Sequence, residues 1–267
     1  MTTISELSNL KGRRALITGS TGALGRVIAD TLAELGADLV LVDRPGSDFD
    51  DLSLSLIERW GINVECQVCD LEHQTERTEL MATIKGSGKG LNILINNAAF
   101  VGTSDLQGWN VSFEHQSVET WRRALEVNLT AIFHLCQGLT PLLKVAQGAS
   151  ITNIASIYGM YGPDWSLYEG TSMSNPAAYG ASKGGLIQFT RWLSATVAPH
   201  IRVNSVSPGG IFRNQPEAFV QRYIDKTPLL RMANEDDYRG VIAYLASDLS
   251  KYMTGQNLPV DGGWGVV

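Results

Sequence analysis

The stretch that most limits what this chain can become runs from Arg13 to Asp43. An apolar run from Arg13 to Thr18 leads straight into Gly19-Ser20-Thr21-Gly22-Ala23-Leu24-Gly25. That turn opens a segment with apolar residues at Leu24, Val27, Ile28, Leu32 and Leu35. The run has the length of a buried strand, and the segment has the period of a helix, ended by Gly36. A second strand, Asp38 to Asp43, completes a βαβ unit. In that setting a glycine-rich turn lets backbone amides and a helix N-terminus approach a pyrophosphate. Gly19, Thr21, Gly22, Ala23, Leu24 and Gly25 are therefore candidate contacts. The spacing is G-x-x-G-x-x-G, and a plain tight turn uses the same glycines.

Asp43 weighs against the plain turn. It closes the second strand 18 residues after Gly25, where a carboxylate accepts from adenosine ribose hydroxyls and repels a 2′-phosphate. That favours NAD. Arg44 follows directly, and a guanidinium there pairs with such a phosphate, so NADP stays open.

The alternation continues. Helical patterns are expected near 48–60 and 73–85, with strands at 63–69 and 91–95, the first ending at Asp70-Leu71 and the second at Asn96-Asn97-Ala98-Ala99. A long helical pattern follows at 118–146, interrupted on its apolar side by Asn128, with Pro141 expected to kink or restart its last part. A buried amide needs partners, so Asn128 is either a structural hydrogen-bonder or a site residue. The next strand, 150–155, ends at Ser156. A helix near 177–197, a strand at 201–206 leading to Pro208-Gly209-Gly210-Ile211, helices at 216–226 and 234–247 and a last strand at 257–260 complete the chain. Such repetition predicts a single α/β domain over residues 1–267, a Rossmann-type doubly wound parallel sheet with helices on both faces. Ligands of such sheets bind beyond the carboxyl ends of the strands.

The helix at 177–197 carries Tyr179 and Lys183, whose spacing stacks phenol over ammonium on one face. A free phenol titrates near pH 10, and a neighbouring ammonium is expected to bring it down toward neutrality. Between Ser156 and this pair lies a glycine-, proline- and aromatic-rich connection, about 157–176, of a length that is usually functional.

The ordered set of motifs resembles the short-chain dehydrogenase/reductase family over nearly the whole chain. The resemblance implies a glycine-rich cofactor turn at Thr18 to Gly25, with Ala23 for the middle glycine. It implies adenine contacts at Asp70-Leu71 and a cofactor-lining Asn97-Ala98-Ala99, with Ala99 for the last glycine. Asn128, Ser156, Tyr179 and Lys183 match the catalytic tetrad, and Tyr179 and Lys183 also face the cofactor. Pro208-Gly209 resembles the turn bordering the nicotinamide, followed by a lid at about 208–230 that includes Ile211. The family's threonine after that turn is replaced by Ile211-Phe212-Arg213-Asn214-Gln215. Asn128 is implied to anchor a water linking Lys183 to solvent. Tyr168-Glu169-Gly170-Thr171-Ser172-Met173 is similar to a subgroup of surface-sugar and flagellin-modification pathways. In that reading Tyr158, Tyr161, Trp165 and Tyr168 stack on sugar rings, while Asp164 and Glu169 accept from hydroxyls or an amine. Equally, the aromatics only pin the loop.

The expected activity is NAD(P)-dependent hydride transfer between nicotinamide and a secondary alcohol or ketone on a small sugar-like substrate. Alternatives are reduction of a polyol, steroid or 3-oxoacyl thioester carbonyl, or dinucleotide binding without turnover. A net charge of −6 argues against nucleic acid and anionic membranes as partners. The start of the chain has no apolar signal region and no stretch is long enough to span a bilayer, so a cytoplasmic protein is expected. Cys66 and Cys69 lack a second pair for zinc and are read as structural thiols. The histidines show no metal spacing. The family resemblance implies a homotetramer or homodimer, with residues 260–265 near a subunit contact.

Overall fold

The computed structural model describes residues 1–101 and 106–267. In chain order the elements are α1 (Ile4–Ser8), β1 (Arg14–Thr18), α2 (Ala23–Glu34), β2 (Asp38–Asp43), α3 (Asp50–Trp60), β3 (Val64–Val68), α4 (Gln74–Gly86), β4 (Ile93–Asn96) and α5 (Val118–Leu125). They continue with α6 (Ala131–Val145), β5 (Ser150–Ile154), α7 (Ala177–Val197), β6 (Arg202–Pro208), α8 (Glu217–Asp225), α9 (Arg239–Ala246) and β7 (Asn257–Val260). The strands form one sheet in the order β3-β2-β1-β4-β5-β6-β7, every pair parallel.

Alternation along the strands divides the core into two layers. Leu16 of β1 and Leu94 of β4 point toward α4, α6 and α7. Ala15, Ile17, Ile93 and Ile95 point toward α2, α3 and α9. Both faces are covered, which is why these strands read as continuous apolar runs. Chain order reverses between β1 and β4. The carboxyl ends of those two strands therefore flank the crevice where such sheets bind ligands.

The segment expected as one long helix is two helices joined by a π-turn, Glu126–Thr130. Asn128, fully buried, sits in its middle. The turn carries one more residue per cycle than an α-helix, a feature that often marks functional sites. α6 runs through Pro141 without restarting. Gln137, whose carbonyl loses its donor to the proline, lies at an exposed position, where solvent is available in its place.

β3 is an edge strand, which leaves Cys66 exposed, whereas Cys69 is buried. Burial pushes the Cys69 thiol up to about 12, so it remains a protonated packing residue. A third, smaller cluster joins Leu167 and Tyr168 of the 157–176 connection to Phe219 and Tyr223 of α8 and to Met232.

Candidate active site

The glycine-rich turn folds as it does for a steric reason. Gly19 has φ of +64°, and a β-carbon there would meet the Ala98 Cα at 2.8 Å. At Gly25 a β-carbon would lie 2.0 Å from the Gly19 carbonyl oxygen. These two glycines let α2 pack against the end of β1. Gly22 differs. It is the exposed N-cap of α2, with no side-chain cap on the helix, and an added β-carbon would meet nothing closer than 3.4 Å. The fold leaves this helix N-terminus open, the cradle a pyrophosphate requires.

Asp43 stands beside the turn. Its Oδ2 accepts from the Thr21 amide at 2.9 Å and the Thr21 hydroxyl at 2.7 Å, and its Oδ1 accepts from the Arg44 amide at 2.9 Å. The Arg44 side chain is exposed. From β4, the Asn97 amide group donates to the carbonyls of Thr18, at 3.0 Å, and Gly19, at 2.9 Å. Thr18 Oγ1 in turn accepts from the amides of Asn97 and Ala98, both at 3.1 Å. Ala98 and Ala99 follow, half-buried, at the crevice.

Asp70 and Leu71 lie past the end of β3, held by a residue the sequence did not single out. Arg77, 1% exposed, donates to the Leu71 carbonyl and to Glu126 at 2.6 Å. Its Nε donates to His134 Nδ1 at 3.3 Å. Burial and the Arg77 charge hold the His134 pKa below its ordinary value, so the ring stays neutral and accepts. A single arginine thus joins the Asp70-Leu71 loop to the first residue of the π-turn. Nothing in the polar segment 73–85 separates this buried guanidinium from a solvated one.

Asn128 is a clamp. Its Oδ1 accepts from the Phe100 amide at 2.6 Å, and its Nδ2 donates to the Phe100 carbonyl at 3.2 Å. Nδ2 also donates to Ser182 Oγ at 3.1 Å, and that hydroxyl donates to the Tyr179 carbonyl at 2.9 Å. The amide therefore fixes α7 between the tyrosine and the lysine.

Small residues bring Ser156 to them. A β-carbon on Gly159 would meet the Lys183 backbone carbon at 2.7 Å, and one on Gly180 would meet the Tyr158 carbonyl oxygen at 3.1 Å. The turn after β5 consequently seats directly on α7, and Ser156 faces the Tyr179 phenol. Lys183, 1% exposed, donates from Nζ to the Ile154 carbonyl at 2.7 Å and lies 5.8 Å from the centre of the Tyr179 ring.

The electrostatics differ from the sequence expectation. Burial raises the Tyr179 phenol above its ordinary pKa, while hydrogen bonding to Ser156 and then the charge of Arg213 pull it down. Burial pushes the Lys183 ammonium down to about 8, because desolvation disfavours the charged form.

Pro208 ends β6, and Gly209 and Gly210 follow beneath the ring of Tyr223. A β-carbon on Gly210 would lie 2.8 Å from that ring, and the Tyr223 hydroxyl accepts from the Gly210 amide at 2.6 Å. Ile211 pairs with Ala233 in an isolated bridge.

The 157–176 connection is tied to α8. Lys226 binds Asp164 and also Ser166, the latter at 3.0 Å, and Arg222 donates to the Glu169 carbonyl at 2.5 Å. Asp164 is thus engaged, against the expectation that it accepts from a ligand. Tyr168 is buried, with its hydroxyl 2.7 Å from that of Tyr158 and its ring packed on Phe219 at 5.4 Å. Tyr161 packs against Trp264 at 6.0 Å. These aromatics pin the loop, whereas Trp165 is 56% exposed.

Comparison with known proteins gives one consistent result. Residues 19–265 match a family model described as enoyl-(acyl carrier protein) reductase. A tropinone reductase homolog of Arabidopsis thaliana is 34% identical, with 97% of this chain and 94% of that protein covered. The 3-oxoacyl-[acyl-carrier-protein] reductase of Aquifex aeolicus is 30% identical, over 95% of this chain and 98% of the relative. Among solved structures, a short-chain dehydrogenase from Leptospira borgpetersenii with bound NAD+ is 33% identical. It superimposes with a TM-score of 0.82 over 99% of this chain and 96% of that one.

Proposed function

Since the chain belongs to the short-chain dehydrogenase/reductase family of oxidoreductases, we propose that Ser156, Tyr179 and Lys183 serve reversible oxidation of a secondary alcohol to a ketone, with NAD as the partner. The observation that carries this reading is the convergence of those three residues, from the end of β5 and from α7, beside the Pro208-Gly210 turn. When bound, the dinucleotide accepts or supplies the hydride. The open N-terminus of α2 at Gly22 to Leu24 suits its pyrophosphate, Asp43 suits the adenosine ribose, and Asp70 and Leu71 suit the adenine. Asn97, Ala98, Ala99, Pro208, Gly209 and Ile211 line the path to the nicotinamide. Asp43 supports NAD over NADP, since its charge opposes a 2′-phosphate.

In oxidation the alcohol loses a hydride from carbon and a proton from oxygen. Tyr179 takes that proton, and in reduction it gives it back. Ser156 donates a hydrogen bond to the same oxygen as charge grows there. Lys183 stands behind the phenol with ammonium donors beyond the one spent on Ile154, suited to a ribose hydroxyl. Asn128 holds α7 in place. The connection 157–176 and the segment 208–230 act as substrate loop and lid. Sequence likeness within 168–173 supports a sugar or related polyhydroxylated substrate. The Aquifex relative supports a 3-oxoacyl thioester as the second reading. Exposed Trp121, Phe133 and Trp192 on α5, α6 and α7 support a homodimer or homotetramer.

Titration with NADH and NADPH, read by energy transfer from the tryptophans, tests cofactor choice; tighter NADPH would transfer the deciding role to Arg44. Tyr179→Phe is expected to keep NADH affinity and to lose turnover by about 10²- to 10⁴-fold. Retained turnover would remove Tyr179 from the proton step.

A further inference from the structure

The segment following the Pro208-Gly210 turn is tied down by hydrogen bonds and presents a cation at the ligand edge of the sheet. The Phe212 amide donates to the Ala233 carbonyl at 2.8 Å, and the Ala233 amide to the Gly210 carbonyl at 2.9 Å. Gln215 closes the next turn from both sides, its Oε1 accepting from the Arg213 amide at 2.7 Å and its Nε2 donating to the Ile211 carbonyl at 2.8 Å. Asn214 completes the turn at φ of +57°, a conformation that asparagine tolerates better than most residues. Glu235 then orients the side chain, accepting from Arg213 Nε at 3.0 Å. Among the described residues neither Nη of Arg213 has a protein partner, and the side chain is 51% exposed.

Resting on the oxidoreductase reading above, we propose that Arg213 is a specificity-determining residue that receives an oxyanion, carboxylate or phosphate ester, carried by the substrate. The guanidinium fork suits either group through its two terminal nitrogens, and with Glu235 on Nε that outer edge faces outward. Three observations point the same way. Arg213 follows the carboxyl end of β6, the neighbour of β5 whose end carries Ser156, so it lies at the same edge of the sheet as the reacting groups, and its charge draws the Tyr179 pKa down. Asp164, on the facing loop, is neutralised by Lys226. Tyr158, Tyr168 and Asn175 of that loop form a neutral hydrogen-bonded set. Both cations here are ion-paired, Lys226 with Asp164 and Arg213 with Glu235, so the preference for an anion rests on hydrogen bonding by the two Nη groups of Arg213 and not on a net positive field. A cationic ketone would be disfavoured there, and an anionic polyol favoured.

The test is calorimetric titration of the NADH-loaded protein with D-gluconate, D-glucose 6-phosphate and neutral xylitol, alongside Arg213→Met and Arg213→Lys. The expected result is binding of at least one anion about ten- to a hundredfold tighter than xylitol. That preference should vanish in Arg213→Met and return in part in Arg213→Lys, with NADH affinity unchanged in both. Preference for gluconate identifies a carboxylate, and for the sugar phosphate a phosphate ester. Equal binding of xylitol and both anions, or a preference that survives in Arg213→Met, overturns the inference while leaving hydride transfer intact. Parallel loss of NADH affinity overturns it too, by making Arg213 a cofactor contact. Failure of the wild-type protein to bind NADH at all would instead sink the underlying oxidoreductase reading.

Discussion

Replacing Lys183 with methionine should change stability with opposite sign at pH 7 and pH 10. The ammonium is 1% exposed, its one hydrogen-bond partner among the described residues is the Ile154 carbonyl, and burial moves its pKa from 10.5 to about 8. That depression corresponds to about 3 kcal/mol of unfavourable desolvation. The penalty is fully present below about pH 8, where the lysine is charged whether folded or unfolded. As pH rises from there to the unfolded value, the unfolded chain holds the extra proton, so folding becomes progressively more favourable. Methionine removes the charge at similar volume but strands a buried carbonyl, which costs about 1–3 kcal/mol. At pH 7 the variant should therefore match the wild type or exceed it by about 1–2 kcal/mol. At pH 10, where about 1 kcal/mol of the penalty remains because the unfolded lysine is still mostly protonated, it should be the less stable by up to about 2 kcal/mol. Urea unfolding of both ligand-free proteins at the two pH values reads the difference directly, and groups titrating identically in both cancel. A wild-type-to-variant difference that is the same at both pH values would refute the burial argument.

The two kinds of glycine in the first turn separate cleanly. Gly25→Ala, whose β-carbon has 2.0 Å to the Gly19 oxygen, should destabilise by about 3 kcal/mol in urea unfolding. Gly22→Ala should fold within about 0.5 kcal/mol of the wild type yet bind NADH at least about tenfold more weakly, by tryptophan energy transfer, because its face is kept open for the pyrophosphate. Arg77→Met strands Glu126 and the Leu71 carbonyl, and should cost about 3–5 kcal/mol by the same unfolding measurement. An effect below about 1 kcal/mol would mean that water replaces the guanidinium.

Strands β1, β2 and β4 were legible because burial on both faces leaves a continuous apolar run, and α7 because its glycines and apolar residues recur at helical spacing. Tyr179 and Lys183 were legible as a pair, since a four-residue interval fixes their shared face. Their electrostatic relation was not. It depends on where Nζ finds an acceptor, and the Ile154 carbonyl belongs to a strand more than twenty residues away in the chain. Arg77 was hidden for a similar cause: its partners come from the loop after β3, the π-turn and α6, and no local period records them. The roles of Asp164 and Arg213 were likewise set by pairing across separate segments, with Lys226 and with Glu235. Sequence periodicity reports which face of an element is apolar, and long-range ion pairing leaves no such trace.

The π-turn at Glu126–Thr130 takes up one residue more than a regular helical turn would hold. Each residue advances an α-helix by about 100°, so the same extra residue in a regular helix would swing all that follows by that angle. The wider turn absorbs it, and Leu135, Cys136, Leu139 and Leu143 stay wholly enclosed against the sheet. Deleting one residue here would close the turn to a regular helix with that stripe still in phase, while the Asn128 amide would lose its reach to Phe100 and Ser182. The odd residue is thus slack confined to one turn, letting a single helix keep its core stripe and carry a polar hook for α7 in its middle.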